Sequence, residues 1–362
     1  MRTWLRRIGW GLLALVLLLG LYVLEFLHHG GQFRRLEARA GGACTPIPLQ
    51  ASAEDIQIDR ARGVAYLSAL DRRGLVERRP VTGTVLQLAL VGTGAGNGAG
   101  AAPVPQPALE SAPPGFRPHG MSLYRAGDGT QRLFVISHPA DGSHTVEVFE
   151  QVPSGLFRHL ATRRDPLFVD PNAILAVGPD QFYVANDSGA ASGFQRATEL
   201  LFRRGLSPVV YVDGDTARIA AAGLKAAAGI AMSPDGTRVY VSETAGNRIA
   251  VYSRNPGTAD LALLERLPVE GAPDNLNVDA DGSVWIAAHA KVVALVRHFA
   301  DATQRAPTRI LRYTPGDGAG RLEDVLVDPG DGISAGSVGA VYGRRLLIGS
   351  ITERKVLDCR LP

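Results

Sequence analysis

From Ile8 to Leu24 the chain has no charged position, and the apolar run continues to Leu27 past a single Glu25. About 20 such residues make a helix long enough to cross a bilayer. Beyond about residue 44 the pattern changes to short runs rich in apolar and β-branched positions, bounded by Asp, Gly or Pro, which predicts strands joined by tight turns. One unit recurs: a turn rich in Asp, Gly and Pro, then a β-prone run. Its copies are Ile58–Ser68, Gly127–Ser137, Gly178–Ala185, Ser233–Ser242, Val278–Ala287 and Gly343–Ser350. They are spaced by about 55 residues, and each but the last leads into another β-like run. Repeats of this kind, with four strands each, predict propeller blades. One blade cannot bury both faces of its sheet, whereas six packed in a ring can. Even spacing over the whole length argues against a β-sandwich. The expected architecture is all-β, a six-bladed β-propeller with an N-terminal transmembrane helix. Residues 1–28 read as a cytoplasmic tip and membrane anchor, 29–43 as a linker and 44–362 as the propeller.

The charges around the apolar run orient it. Arg2, Arg6 and Arg7 precede it, which keeps the N-terminus in the cytoplasm. The run ends in Leu24-Glu25-Phe26-Leu27-His28-His29, without a small-x-small cleavage site. It is therefore read as a retained anchor, with the propeller in the periplasm or outside the cell. A cleaved signal peptide is the alternative. Cys44 and Cys359, the two cysteines, lie near opposite ends of the exported part. An even count in an oxidising compartment suggests a bridge that closes the ring.

Composition excludes some partners. The net charge is only +3, and no Lys/Arg run follows the first few residues, so no nucleic-acid partner is expected. Nothing in the sequence identifies a protein partner. The Gly-, Ala- and Pro-rich stretch Gly92 to Gly115 lacks the strand-loop-helix context of a phosphate cradle and reads as a flexible surface or rim loop.

A propeller gathers polar groups where its innermost strands converge on the central channel. Acids and amides set among apolar strands are therefore site candidates: Glu54-Asp55, Asn172, Asn186-Asp187 and Asp274-Asn275. Carboxylate and amide oxygens without cysteine or clustered histidine suit a hard cation such as Ca²⁺. Each is also an ordinary turn or cap residue. His119, in Pro118-His119-Gly120, and His138, before Pro139, could together relay a proton to or from water.

These residues resemble one family, the paraoxonases, which are calcium-dependent lactonases and arylesterases with a six-bladed propeller. Gluconolactonases and strictosidine-synthase-like proteins are more distant relatives. The resemblance runs from Cys44 to Cys359. It includes Glu54-Asp55, Pro118-His119-Gly120, His138-Pro139 with Thr145-Val146-Glu147, and Asn172 before Ala176-Val177-Gly178-Pro179. It continues through Phe182-Tyr183 with Asn186-Asp187, Gly229-Ile230 before Ser233-Pro234-Asp235-Gly236, Asp274-Asn275, His289 and Leu346-Leu347-Ile348-Gly349. The resemblance implies that Glu54, Asn172, Asp274 and Asn275 hold a catalytic calcium. It implies that Asp55 and the Met121 carbonyl touch a second, structural calcium. It makes His119 and His138 a proton-relay pair, with Asp274 an alternative base, and Cys44–Cys359 a closing disulfide. The metal would polarise a lactone or ester carbonyl.

Two positions depart from the family. Ala228 stands before Gly229-Ile230 where the family has Asn, which removes one catalytic-calcium ligand. Ala173 stands where the family has Asp, which removes a structural-calcium ligand, although Asp170 lies close by in sequence. Two functions follow: calcium-dependent hydrolysis of a small lactone or aryl ester, or a non-catalytic propeller that binds a ligand or protein. Selectivity would come from rim loops such as Asp71 to Arg79 and Ser188 to Arg196.

Overall fold

The computed structural model describes residues 2–91, 103–316, 318 and 320–362. Helix α1 (Arg2–His29) carries the apolar run and is long and apolar enough to cross a membrane. Strand β1 (Ala43–Pro48) follows, and the chain then builds blades in order.

The first blade is β2 (Ser52–Asp59), β3 (Val64–Leu70), β4 (Thr84–Ala89) and β5 (Gln106–Pro107). The second is β6 (Pro118–Arg125), β7 (Gln131–Ser137), β8 (Thr145–Gln151) and β9 (Phe157–Arg163). The third is β10 (Pro171–Ala176), β11 (Gln181–Asn186), β12 (Ser207–Asp213) and β13 (Thr216–Leu224). The fourth is β14 (Ala227–Met232), β15 (Arg238–Glu243), β16 (Arg248–Arg254) and β17 (Leu261–Pro268). The fifth is β18 (Ala272–Val278), β19 (Val284–His289), β20 (Thr308–Thr314) and β21 (Arg321–Asp328). The sixth is β22 (Gly336–Tyr342), β23 (Arg345–Ser350) and β24 (Lys355–Arg360), and β1 completes it as the outermost strand. The protein is thus a six-bladed propeller, closed by an N-terminal strand laid antiparallel on the last blade.

The recurrent turns join the first and second strands of each blade, and their chemistry explains them. In the fourth blade Asp235 Oδ1 accepts from Thr237 N at 3.1 Å, and Gly236 takes φ +72°. In the fifth, Asp281 Oδ1 accepts from Ser283 N at 2.9 Å, and Gly282 takes φ +81°. A side-chain acceptor and a residue free to adopt positive φ close such hairpins.

Period-2 alternation then fills the spaces between blades. On β11, Tyr183 and Ala185 pack toward the fourth blade, while Phe182 and Val184 pack toward the second. Six apolar clusters result, one at each interface between neighbouring blades. Ring closure is covalent as well. Cys44 and Cys359 face each other in the β1–β24 ladder and form a disulfide.

The Gly-rich stretch divides. Residues 92–102 lie outside the described residues. The rest is not a flexible loop: Gln106–Pro107 forms the outer strand of the first blade, and Ala108 is fully buried. The rim segments also differ from plain loops. Helix α2 (Arg72–Val76) follows β3, α3 (Gly193–Leu201) follows β11, and α4 (Val292–Ala300) follows β19. Three alternate blades thus each carry a short helix between their second and third strands. These helices are too short for their periodicity to stand out among strands.

Candidate active site

Each of the six innermost strands is irregular at the same level. The register shifts between Ala53 and Ile56, Pro118 and Met121, Pro171 and Ala173, Ala227 and Gly229, Pro273 and Leu276, and Gly336 and Val338. Bulges free residues from the ladder and re-aim their side chains, commonly beside active sites. The residues released here are Glu54-Asp55, His119-Gly120, Asn172, Ala228, Asp274-Asn275 and Ser337. The strands also approach closely at this level. A Cβ on Gly120 would lie 2.3 Å from Asn172 O, and one on Gly229 would lie 2.3 Å from Asp274 O. Only glycine permits both contacts.

Glu54 is the hub. Its Oε1 accepts from Asn275 Nδ2 at 2.6 Å and lies 3.7 Å from His119 Nε2. Its backbone oxygen accepts from Ser337 Oγ at 2.7 Å. Burial pushes its carboxyl up, against the pull of Arg72 and Asn275. Asp274 is buried beside it, with Oδ2 accepting from His289 Nε2 at 3.0 Å. Burial pushes its carboxyl up too, and the bond from His289 pulls it down. Asp55 faces the second blade, where Oδ2 accepts from Met121 N at 2.6 Å and Oδ1 from Ile56 N at 2.7 Å. Burial and the Glu54 charge push it up to about 7. Met121 therefore meets Asp55 through its N–H.

The histidines form a chain of three. His119 Nδ1 lies 2.9 Å from His138 Nε2, and His138 Nδ1 lies 2.8 Å from His144 Nδ1. A neutral imidazole donates from one nitrogen and accepts at the other, so such a chain can pass a proton along its length. Burial and the Arg72 charge push His119 down to about 3, and burial holds His138 well below the usual histidine range. Both are kept neutral near pH 7, each with one ring nitrogen left as an acceptor for a hydrogen bond.

The oxygens fit a hard cation. Glu54 Oε2 and Asn172 Oδ1 are buried with no hydrogen-bond partner among the described residues. Such orphaned acceptors are costly unless something meets them. With Asp274 and Asn275 they make an all-oxygen donor set of four residues from three blades, the kind that suits calcium. The set mixes two carboxylates with two amides. Among the described residues no three acidic, histidine or cysteine side chains gather as a metal cluster. At the fourth blade Ala228 is buried and presents a methyl group. Ala173 is buried in the third. Asp170 pairs with Arg196 of α3, so its carboxylate is engaged elsewhere.

Three contributors were not singled out by the sequence reading. Arg72 reaches the site from α2, His144 extends the histidine chain, and Ser337 braces Glu54 from the sixth blade. The rim helices and α1 share the face on which the site opens. Glu25 pairs with Arg203 at 2.6 Å, His29 O accepts from Asn247 Nδ2 at 2.8 Å, and Gly30 O accepts from Val292 N at 2.9 Å.

Comparisons with known proteins agree with this geometry. The Arylesterase family model matches residues 110–361. Serum paraoxonase/arylesterase 1 of Rattus norvegicus is 34% identical over 254 residues, covering 68% of this chain and 69% of that protein. Its Homo sapiens counterpart is 32% identical with the same coverage. Among solved structures, the PQQ-bound aldose sugar dehydrogenase of Streptomyces coelicolor covers 90% of this chain and all of its own, with a TM-score of 0.53. At 12% identity that likeness concerns the fold alone. Propeller, bulge-borne site and sequence matches together lead to one conclusion: the chain belongs to the arylesterase family.

Proposed function

We propose that this protein is a calcium-dependent hydrolase of lactones or aryl esters, working at the bulged end of its central channel. The observation that carries the reading is the pair of orphaned oxygens, Glu54 Oε2 and Asn172 Oδ1, beside the His119–His138–His144 chain. The paraoxonase/arylesterase names of the relatives support the substrate class.

Glu54, Asn172, Asp274 and Asn275 would hold the calcium ion. Bound there, it would supply Lewis-acid polarisation of the substrate carbonyl. The chain's own residues handle the proton. His119, neutral and 24% exposed, takes a proton from the attacking water and shares it with His138. The water oxygen bonds to the carbonyl carbon, the bond to the leaving oxygen breaks, and that oxygen takes up a proton. A carboxylate and an alcohol (a phenol from an aryl ester) result, with one proton released to solvent, and the two groups stay in one molecule when the substrate is a lactone. Asp274 is the alternative base, oriented by His289.

The protein is held at a membrane by α1, with the propeller in the periplasm or outside the cell. The arginines at the start of α1, ahead of its apolar run, and the Cys44–Cys359 bond, which fits an oxidising compartment, support this placement. N-terminal sequencing of membrane-extracted protein tests it: a mature chain beginning near Gly30 would replace the anchor with a cleaved signal.

Ala228 favours a second reading, a propeller that binds without turnover. Variants separate the two. His119→Gln and Asp274→Ala should each cut lactone hydrolysis by about 100-fold or more. Rates unchanged in both variants would remove the hydrolytic reading of this site.

A further inference from the structure

A fixed cation enters the channel from the rim. Arg72 is the first residue of α2, whose cap, Asp71, accepts from Gly74 N at 3.1 Å. The next residue, Arg73, donates to Phe299 O at 3.0 Å, in the last turn of α4. Arg72 instead reaches the innermost strands. Its Nη2 donates to Pro118 O at 3.0 Å, at the head of the His119 strand, and lies 3.8 Å from Glu54 Oε2. The side chain is only 11% exposed.

This is an incomplete pairing. A guanidinium carries five N–H donors in a rigid fork that matches a carboxylate two bonds at a time. At 3.8 Å Arg72 is paired with the Glu54 carboxylate by charge but not by a hydrogen bond, and Glu54 Oε2 accepts no hydrogen bond among the described residues. Nη1 is buried and also has none among the described residues. Asp71, the nearest acid in sequence, is taken by Arg79 at 3.0 Å and Arg354 at 3.1 Å. A buried, unsatisfied charged donor is destabilising unless a ligand meets it. Here it sits where the proposed reaction develops negative charge on oxygen. The first blade adds a permanent cation to a site whose fourth blade, at Ala228, offers no oxygen.

We propose that Arg72 is a substrate-contacting residue, whose free guanidinium N–H donates to the carbonyl oxygen of the bound ester or lactone and then to the carboxylate product. The ester role rests on the hydrolase reading; binding of a carboxylate does not. The ligand class is a monocarboxylate or its ester, recognised by charge and fork geometry.

Two measurements on the full chain test this. The first is calorimetric titration with benzoate, and with benzamide as its neutral counterpart. Wild type should bind benzoate more tightly than benzamide, and Arg72→Ala should lose about 10- to 100-fold of benzoate affinity but only a few-fold of benzamide affinity, since the amide keeps the carbonyl acceptor and lacks the charge. The second is hydrolysis of an aryl ester. Arg72→Ala should lower kcat/KM by about 100-fold, and free guanidinium ion in the buffer should restore part of the rate saturably. A side chain that only braced the fold would show no such rescue. Should Arg72→Ala fail to fold, Arg72→Lys decides, since it keeps the stem and charge but loses the fork: benzoate affinity and kcat/KM should both fall about tenfold. Wild-type hydrolysis with kcat/KM and benzoate binding unchanged in the variants overturns the role of Arg72 and leaves the hydrolase reading intact. Arg72-dependent benzoate binding with no hydrolysis removes the hydrolase reading and leaves the carboxylate site standing.

Discussion

His119 shows how environment sets chemistry at one residue. Burial and Arg72 push it down to about 3, against about 6.5 for a histidine in the unfolded chain. Between these values the unfolded chain binds a proton that folded His119 refuses. Its contribution to stability is therefore complete above pH 6.5 and declines as the pH falls, by roughly 1 kcal/mol at pH 5.5. Urea midpoints at pH 7.5 and 5.5 check this. His119→Gln should lose less stability between them than wild type does, and equal losses would contradict the neutral, buried histidine. Ala228 gives the second expectation at this scale. Ala228→Asn should supply a fifth oxygen and tighten calcium binding about tenfold, or ~1.4 kcal/mol, measured by calorimetry. Weaker binding in that variant would mean that the bulge of β14 does not present this position to the ion. Glu54, Asn172 and Asp274 were legible in the sequence because acids and amides among apolar strands stand out, and because their neighbours match a family. Arg72 was not. In a chain rich in arginine, nothing in Asp71-Arg72-Arg73 marks which guanidinium turns inward, and that choice is made by the cap at Asp71 and the carbonyl of Pro118.

Among the elements, the hairpins were the most legible. Their Asp and Gly residues act locally, so the turn is specified within a few positions of sequence. The bulges were hidden, because a register shift exists only between two strands. Gly229 carries this into a prediction. A Cβ there would lie 2.3 Å from Asp274 O, so Gly229→Ala should push β14 from β18, costing about 2 kcal/mol and displacing Asp274. The denaturant midpoint and the rate of hydrolysis should fall together. Unchanged stability would show that the two strands can separate without strain. The rim helices were read as loops because they are short, and what holds them is tertiary. Arg196 of α3, for example, is fixed by Asp170 and by Asp187 at 3.5 Å.

For the molecule as a whole, closure of the ring was legible from two cysteines at opposite ends. An N-terminal strand laid on the last blade was legible with it; the register of that ladder was not, since β1 and β24 meet across a sequence separation of 315. In the chain-entropy account a bridge over such a loop is worth at most about 5–6 kcal/mol. Reduction should lower the unfolding temperature while the folded state survives, because the ladder persists. Loss of the fold on reduction would make the disulfide, and not the strand, the closing element. The central claim is that the bulged end of this closed ring is a calcium-dependent ester-hydrolysing site. Its most direct test is the initial rate of lactone and aryl-ester hydrolysis by metal-stripped, disulfide-bonded full chain as calcium is titrated back. Both rates should start near zero and rise along one saturable curve that moves to lower calcium in Ala228→Asn. Hydrolysis undiminished by chelator, or none at saturating calcium in the folded protein, would contradict it.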